Sequence, residues 1–390
     1  MQLPILLALS LGHLVVDLSQ GGLTFLLPFF KEALGLSYTA VGALMMTSQL
    51  SSSVVQPIFG LWSDRHNLRW LLPLGCLVGG LGIALSGLTK SFPALLAVVG
   101  VGGLGVAAYH PEGSKATRWA SGARRVTSMG IFAVGGNLGF SLGPLFAGLL
   151  YGLAGLKGTV GFLVPAAATA LVLWVLLPRL RELEGGQLQA AKALPQDAQP
   201  EVLPFGYLPV VILLAVVFFR SWIHLGLTTY IPLYYVSHLG GDPLQARNFQ
   251  TVFLLSGVAG TLIGSPLVER WDLKRALFAS MAAQVPLILP LPQATGFWPY
   301  VLLAASGFTL ISTFSVTVVL GQELLPRHLG LASGLMLGFS VGTGGLGLTI
   351  LGAVADAWGV PQALNLLGLL PALAAGLVWL LPRPRLLHAA

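Results

Sequence analysis

The sequence predicts an all-α membrane protein in which twelve transmembrane helices form two six-helix halves, with both termini in the cytoplasm. Three observations lead to this fold class. The chain is 55% hydrophobic and only 8% charged, with a mean hydropathy of +0.84, whereas an ordinary soluble domain is about 25% charged. Its basic residues fall in alternate connections between apolar stretches, and its two halves share a repeated pattern.

The apolar stretches are each long enough for one bilayer crossing, since a transmembrane helix needs about 20 apolar residues. Twelve such stretches follow one another along the 390 residues. The predicted helices span residues 4–30, 38–63, 69–90, 93–117, 125–152, 158–178, 207–237, 244–268, 273–294, 298–324, 328–356 and 361–381.

The basic residues orient these helices. Fifteen of the twenty Lys and Arg residues lie in, or at the helix ends next to, the tails and loops that are cytoplasmic when the N-terminus is inside. Four lie in the opposite loops, and Arg220 lies within a helix. Because cytoplasmic loops carry an excess of Lys and Arg, this distribution predicts that both termini are cytoplasmic. It also accounts for the net charge of +7 without a nucleic-acid partner.

A polar segment at residues 179–206 separates the two halves. It is punctuated by Pro and Gly and contains no long apolar run, which is typical of a cytoplasmic linker. The predicted organisation is therefore an N-terminal six-helix half at 1–178, the linker at 179–206 and a C-terminal six-helix half at 207–390.

The halves match each other at an offset of 204 or 205 residues in three places. The matching pairs are Gly22–Phe30 with Gly226–Tyr234, Asp64–Arg69 with Glu269–Lys274, and Leu142–Gly148 with Leu346–Gly352. Two parallel six-helix repeats resemble the plan of major facilitator transporters, whose substrate sites lie near the bilayer midplane between the halves.

The segment Gly60–Trp70 resembles the major facilitator signature G-x-L-[AS]-D-R-x-G-R-[KR], with Asn67 in place of its glycine. Such a loop can act as a charge latch, in which the aspartate accepts from a helix N-terminus and the arginines pair with carboxylates. Glu112 and Glu323 are the candidate carboxylates. The simpler alternative is a set of topology charges with solvated counterions. The latch candidates are Asp64, Arg65, Arg69, Glu112, Glu269, Arg270, Lys274 and Glu323.

The fifth predicted helix carries a series of glycines that resembles the pattern of proton-driven drug exporters in this superfamily. Ala147 departs from that pattern. Small residues allow close helix approach, and a proline permits a bend. The alternative is a tight helix contact without any role in transport direction. The helix-bend candidates are Gly130, Gly139, Gly143, Pro144 and Gly148.

The first predicted helix contains His13 and Asp17 inside an apolar stretch. A carboxylate at bilayer depth costs about 2.5–3.5 kcal/mol on insertion scales, so it is expected to face protein or water and to serve a function. Residues four apart lie on one face of a helix. Since an unperturbed histidine titrates near pH 6.5, the pair is a candidate for proton coupling. The alternative is a buried hydrogen-bonded pair that fixes helix contacts.

Arg220 in the seventh predicted helix is the candidate for binding an anionic substrate, with His224 one turn further on. A guanidinium recognises a phosphonate or carboxylate through paired hydrogen bonds. The alternative is a salt bridge between Arg220 and Asp17. The two readings are compatible, because a substrate bound to Arg220 would release Asp17 to take up a proton.

Further polar residues are expected to line the same cavity. His110 precedes Pro111 near the inner end of the fourth predicted helix and is a candidate proton relay or substrate contact. Packing within the helices is the alternative for each of these residues. The remaining cavity candidates are Tyr109, Gln20 and Asn137.

A narrower resemblance runs over essentially the whole chain. The segments Gly12–Gln20, Tyr109–Glu112, Gly135–Asn137 and Gly321–Pro326 are similar to those of the fosmidomycin-resistance transporter family. This resemblance implies a multi-pass protein of the bacterial inner membrane that exports fosmidomycin or a related anionic solute, driven by proton entry. An importer or facilitator of an organic anion with the same fold is the second hypothesis.

Enzyme motifs are missing from the sequence. It has no His-Glu-x-x-His, no phosphate-binding glycine loop before a lysine and no paired cysteines. We therefore expect no enzymatic activity, no cofactor and no metal site. An intramembrane enzyme or a non-transporting sensor is the hypothesis from another class. The expected partners are the lipid bilayer, protons and a small anion, and the fold is expected to be monomeric.

Overall fold

The computed structural model describes residues 1–66, 68–193, 207–235, 239 and 243–382. Within them, residues 38, 39, 42, 187–193, 232, 233, 243–247, 340, 341 and 343 are described by their backbone alone. Asn67 of the signature loop and residues 194–206 of the predicted linker lie outside the described residues.

The described residues form α-helices joined by short connections. The helices are α1 (Leu3–Leu34), α2 (Tyr38–Gln49), α3 (Gln56–Arg65), α4 (Leu71–Ser86), α5 (Phe92–Ala120), α6 (Arg125–Ala154), α7 (Leu163–Ala193), α8 (Leu208–Leu233), α9 (Pro243–Val268), α10 (Leu273–Ile288), α11 (Trp298–Ser312), α12 (Phe314–Leu324), α13 (Leu329–Gly334), α14 (Ser340–Trp358) and α15 (Val360–Leu380).

The chain divides into two compact units. The first contains Met1–Glu201 together with Leu325–Gly338, and within it α13 packs against α3 and α5. The second contains Val202–Leu324 and Phe339–Ala390. In the first unit α1 packs most extensively against α6, and α4 packs against α5. In the second unit α9 packs against α11, and α8 packs against α15 and α14.

The predicted all-α fold is confirmed, and a helical segment stands at each of the twelve predicted ranges. The cytoplasmic location of both termini stays a prediction. Nine helical stretches of the described chain are long and apolar enough to cross a membrane, and one of them, Arg125–Gly186, contains the fifth and sixth predicted helices. The third predicted helix corresponds to α4, which is shorter than those nine stretches. The second predicted helix consists of α2 and α3, which are joined by the π-helical turn Leu50–Val54.

The predicted end of the sixth helix at residue 178 is wrong, because α7 continues to Ala193. The residues after Pro178 are mainly Arg, Leu, Glu, Gln and Ala, which are good helix formers. A helix does not end where the sequence becomes polar, since its polar turns can continue into water. Leu180 is buried there, so this extension also packs against the protein.

Glycines allow α1 and α6 to approach closely. A Cβ atom at Gly139 would overlap the carbonyl of Leu14, and one at Gly143 would overlap the backbone of α1 near Gly22. Gly148 faces the ring of Phe25. Gly130 is buried, and Pro144 lies within α6 without ending it. The glycine series of the fifth predicted helix thus forms a tight helix contact.

We predict that Gly139→Ala destabilises the folded protein, because the added methyl group meets backbone that cannot rotate away. Overpacking of this kind costs about 1–3 kcal/mol. Gly152→Ala is the matched control on the same helix, since a Cβ atom there meets nothing within 4 Å. That variant is expected to keep or raise stability, because Ala is favoured over Gly in a helix by up to about 1 kcal/mol.

Thermal unfolding of the two purified variants in detergent, followed by size-exclusion chromatography, checks this prediction. The close-packing interpretation fails if both variants unfold at the wild-type temperature, or if Gly152→Ala is the less stable of the two.

Candidate functional site

A buried cluster in the first unit joins Asp17 to two histidines. Nε2 of His13 lies 3.3 Å from Oδ2 of Asp17, one turn away on α1. Nε2 of His110, on α5, lies 3.2 Å from Oδ1 of the same carboxylate. The two histidine side chains are 6% and 9% exposed, and that of Asp17 is 15% exposed. Each oxygen of Asp17 therefore faces its own imidazole.

Backbone carbonyls fix the tautomer of both histidines. Nδ1 of His13 lies 2.7 Å from the carbonyl oxygen of Phe132, and Nδ1 of His110 lies 2.8 Å from that of Val106. A carbonyl oxygen can only accept, so each Nδ1 carries a proton and donates it. In a neutral imidazole the other nitrogen, Nε2, then carries a lone pair and no proton. Both Nε2 atoms thus present to Asp17 the position that gains or loses a proton.

Neighbouring residues hold the cluster in place. The ring of His13 stacks on Phe132 with centroids 4.2 Å apart and meets the ring of His110 edge-on at 4.8 Å. Gly136 of α6 lies against it, where a Cβ atom would overlap both His13 and Asp17. Tyr109, a cavity candidate from the sequence, is fully buried, and its hydroxyl donates to the carbonyl of Leu9 at 2.5 Å.

The cluster also has the composition of a metal site. Among the described residues, the ligand atoms of His13, Asp17 and His110 all lie within 4.8 Å of one another. Two imidazole nitrogens and a carboxylate are ligands that several transition metals accept. The same atoms can instead share protons.

Arg220 is buried within the second unit, and its contacts to described residues are to neutral groups. Its Nε and Nη2 donate to the carbonyl of Leu310 at 3.3 and 3.2 Å, and its guanidinium lies 4.9 Å from the ring centre of Phe314. Within the part of the chain that the structure describes, no carboxylate forms an ion pair with Arg220. His224, one turn along α8, is half-buried, and its ring centre lies 5.5 Å from that of Phe253.

The remaining cavity candidates lie in the first unit. Gln20 is half-buried and lines a cavity of about 20 Å³ together with Ser19, Ser48 and Val106. Asn137 on α6 is half-buried, and its backbone carbonyl accepts from Ser141. The cavity at Gln20 is large enough for a water molecule but not for a drug-sized solute.

Asp64 caps the N-terminus of α13. Its two carboxylate oxygens accept from the backbone N–H groups of Gly330 and Leu331, at 2.7 and 2.8 Å. This is the kind of helix-terminus contact that the sequence suggests for Asp64, and the helix dipole favours a negative charge there. Burial raises the pKa of the Asp64 carboxyl above its ordinary value, although both N–H groups act to lower it.

Among the described residues, the ion pair of Glu112 is with Lys115 and not with a latch arginine, although the charge of Glu112 acts favourably on the guanidinium of Arg69. Glu112 is fully buried, forms an ion pair with Lys115 at 2.8 Å and accepts from the hydroxyl of Ser63. Lys115 also donates to the carbonyl of Ser63 at 3.0 Å. The spacing of three between Glu112 and Lys115 on one helix is a signal that could have revealed this pair.

Arg69 forms its ion pair with Glu184, which lies on the extension of α7. The sequence analysis misses Glu184 because it assigns that segment to the linker. Arg69 also lies 6.0 Å from the ring centre of Trp119. Burial lowers the pKa of the Arg69 guanidinium below its ordinary value. Arg65, in contrast, is exposed.

The corresponding residues of the second repeat make a different contact. Lys274 donates to the carbonyls of Trp379 and Leu381 at the end of α15, where the helix dipole favours a cation. Glu269 is half-buried and Arg270 is exposed. Glu323, the second carboxylate proposed for the latch arginines, is half-buried.

Comparison with known proteins identifies the family. The family model described as Major Facilitator Superfamily matches residues 9–340. The chain belongs to the major facilitator superfamily. A fosmidomycin resistance protein of Escherichia coli strain K12 is 35% identical over 371 residues, 95% of this chain and 90% of the relative. An uncharacterized MFS-type transporter of Bacillus subtilis strain 168, YfnC, is 32% identical over 380 residues, 97% of this chain and 93% of the relative.

Solved structures of major facilitator proteins share the fold. The fucose:proton symporter of Escherichia coli matches with a TM-score of 0.75 and 14% identity, over 98% of this chain and 99% of that one. The human organic anion transporter MFSD10 matches with a TM-score of 0.70 and 17% identity, over 97% and 99%. These likenesses concern the fold alone. Together with the family and its relatives, they identify a multi-pass membrane transporter of small molecules and not an enzyme.

Proposed function

We propose that this major facilitator protein is a proton-coupled exporter of a small anionic solute, either fosmidomycin or a related phosphonate. It works as a monomer in the bacterial inner membrane with both termini in the cytoplasm. The two six-helix halves alternate access to a central site, and protons entering from outside drive the solute out. The observation that carries this proposal is the buried carboxylate of Asp17 between two histidines.

The relatives support the membrane and the solute class. The Escherichia coli protein is a fosmidomycin resistance protein by name and aligns with 95% of this chain, which supports a shared substrate class. Both full-length relatives are bacterial proteins, in keeping with an inner-membrane location.

Proton coupling is argued from the geometry at Asp17. An intramembrane carboxylate that only held two helices together would be satisfied by partners that donate permanently, such as backbone or hydroxyl groups. Asp17 instead faces two Nε2 atoms, each of which exchanges a proton near neutral pH in an unperturbed histidine. Proton loading and release at this cluster would change its charge inside the membrane, and such a change can bias a conformational equilibrium.

We predict that Asp17→Asn abolishes transport driven by a proton gradient. The asparagine keeps the size of the side chain but removes its charge, so the cluster can no longer exchange protons as a unit. The measurement is accumulation of radiolabelled fosmidomycin in inside-out proteoliposomes with an imposed pH gradient. Fosmidomycin counterflow without a gradient is expected to persist, because it needs substrate exchange only.

Glu32→Gln is the matched control, since Glu32 is an exposed carboxylate on the same helix. It is expected to transport like the wild type. The proton-coupling role of Asp17 is wrong if Asp17→Asn retains full gradient-driven accumulation.

Arg220 is proposed to bind the anionic group of the solute. A buried cation is costly unless it is paired, and its contacts to a carbonyl and a ring leave guanidinium donors for an oxyanion. A phosphonate offers the geometry that those donors match. His224, one turn away, would extend the site as a second polar contact.

We predict that Arg220→Gln weakens the binding of fosmidomycin by about 10- to 100-fold, because a hydrogen bond to a charged group contributes about 1.5–3 kcal/mol. Isothermal titration calorimetry of detergent-purified protein measures this change. Arg270→Gln removes an exposed arginine and is expected to bind with wild-type affinity. Wild-type affinity in Arg220→Gln as well would exclude a substrate contact.

The contact between Asp64 and α13 is proposed to act as a latch during the transport cycle. Two charge-assisted hydrogen bonds hold the N-terminus of α13 against the last turn of α3. Ser63, the preceding residue, is bound to Glu112 and Lys115 of α5, which gives Asp64 a firm support. The latch would break whenever α13 leaves this position and form again on its return.

We predict that Asp64→Ala slows the turnover of fosmidomycin by about fivefold or more, since loss of a helix cap costs about 1–2 kcal/mol. Its affinity for the solute is expected to stay within about twofold of wild type. Asp272→Ala is the control, because Asp272 caps α10 by accepting from the N–H of Arg275 at 2.8 Å. If the two variants turn over equally fast, Asp64 is only a stabilising cap.

A further inference from the structure

We propose that His13, Asp17 and His110 form a binding site for a divalent transition-metal ion of the Zn²⁺ type, and that an ion bound there inhibits transport. The binding site goes beyond the proposed function, and only the inhibition rests on it. The expectation of no metal site depends on local sequence motifs, whereas His110 lies on a different helix from the other two residues. The site therefore exists only in the folded protein.

The two histidines are prepared as metal ligands by the contacts of their other ring nitrogens. Nδ1 of His13 donates to the carbonyl of Phe132, and Nδ1 of His110 donates to that of Val106. Histidines that bind metals almost always donate this second N–H to a carbonyl, a carboxylate or water, because that bond fixes the ring and makes the ligand nitrogen more basic. Both Nε2 lone pairs are thus left beside the carboxylate of Asp17.

The carboxylate of Asp17 has an oxygen that the surrounding protein does not satisfy. Its Oδ1 is buried and has no hydrogen-bond partner within the described part of the chain, although Nε2 of His110 lies only 3.2 Å away. A buried polar atom without a partner costs free energy, and more so when it is charged. A cation would supply the missing interaction, because it attracts the carboxylate oxygen and both nitrogen lone pairs at once.

The distances between the ligand atoms suit a small cation. Zn²⁺ binds imidazole nitrogen and carboxylate oxygen at about 2.0–2.2 Å in a tetrahedral arrangement, which places two ligand atoms about 3.4 Å apart. The Nε2 atoms of His13 and His110 lie 3.3 and 3.2 Å from the oxygens of Asp17. All three ligand atoms lie within 4.8 Å of one another, so the longest separation shortens as an ion draws the side chains together.

The ligand set selects the kind of ion. Two imidazoles and a carboxylate suit Zn²⁺ and other first-row transition metals, whereas Mg²⁺ and Ca²⁺ prefer oxygen ligands. The nearby thiol of Cys76 contacts the carbonyl of Gly12 instead, and the hydroxyl of Tyr109 donates to that of Leu9. Three protein ligands leave the fourth tetrahedral position to water. The side chain of Asp17 is 15% exposed, so the site is not sealed.

Isothermal titration calorimetry of the full-length protein in detergent, treated with chelator and then titrated with Zn²⁺, tests the site. One ion per chain is expected to bind, and Mg²⁺ is expected not to. His13→Gln and His110→Gln are each expected to weaken Zn²⁺ binding by at least about 100-fold, because even the outer partner of a metal ligand contributes about 10- to 100-fold. His66→Gln removes an exposed histidine and is the matched control with wild-type affinity.

Two results of the titration would overturn the proposal. One is the absence of saturable Zn²⁺ binding to the wild type. The other is wild-type affinity in either His13→Gln or His110→Gln, which would place the ion on other groups. X-ray absorption spectroscopy of the wild type with one equivalent of Zn²⁺ needs no variant. It is expected to show scattering from two imidazoles, and a shell of oxygen atoms alone would contradict the site.

Transport supplies the second measurement. Free Zn²⁺ at a concentration that saturates the site is expected to abolish gradient-driven accumulation of fosmidomycin in proteoliposomes, because the bound ion takes the lone pairs that proton exchange needs. Chelation is expected to restore transport, and Mg²⁺ is expected to have no effect. Full accumulation with the site occupied would contradict the inhibition. If the wild type shows no gradient-driven transport without Zn²⁺, the proposed function fails, while calorimetry still decides whether the metal site exists.

Discussion

The contact between Asp17 and its two histidines is the interaction on which the first unit depends most directly. A carboxylate in an apolar helix cannot stay without partners, because neither lipid nor a hydrocarbon core solvates it. One partner comes from its own helix at a spacing of four, and the other comes from α5. Helix α1 is thereby held against α5 at this depth by side chains that can change their charge.

Close helix packing makes this contact possible. Gly136 leaves the room that His13 and Asp17 occupy, and Gly139 and Gly143 allow the backbone of α6 to reach that of α1. Phe132, on the same face of α6, contributes both the ring that stacks on His13 and the carbonyl that fixes its tautomer. The glycines of α6 are therefore part of the chemistry of the cluster as well as of the helix packing.

Helix α5 connects the cluster to the charged residues around Asp64. His110 faces Asp17, and Glu112 and Lys115 follow within the next turn and a half and bind Ser63, which precedes Asp64. Pro111 stands between the two sets of contacts and lacks a backbone donor, so the helix is weakest there. A change in the position of His110 and a change at the latch would both act on this one segment.

Much of the fold follows from apolar length and charge, because the bilayer requires helices of a known span and orients them through their loops. The twelve ranges, the His13–Asp17 spacing and the polarity of the signature loop are all local features of the sequence. The same reasoning fails at the end of α7, where polar residues continue a helix, and at Arg69, whose partner lies on that unrecognised extension.

The sequence by itself determined the family, the helices and the presence of costly polar groups inside them. Only the tertiary structure decided which of those groups meet. His110 and Asp17 are 93 residues apart in the chain, and no local period relates two positions on different helices. Their contact depends on the packing of α1, α5 and α6, and the tautomers depend on carbonyls whose partners the sequence does not indicate. Arg220, whose side chain meets a carbonyl and an aromatic ring, shows the same dependence on packing.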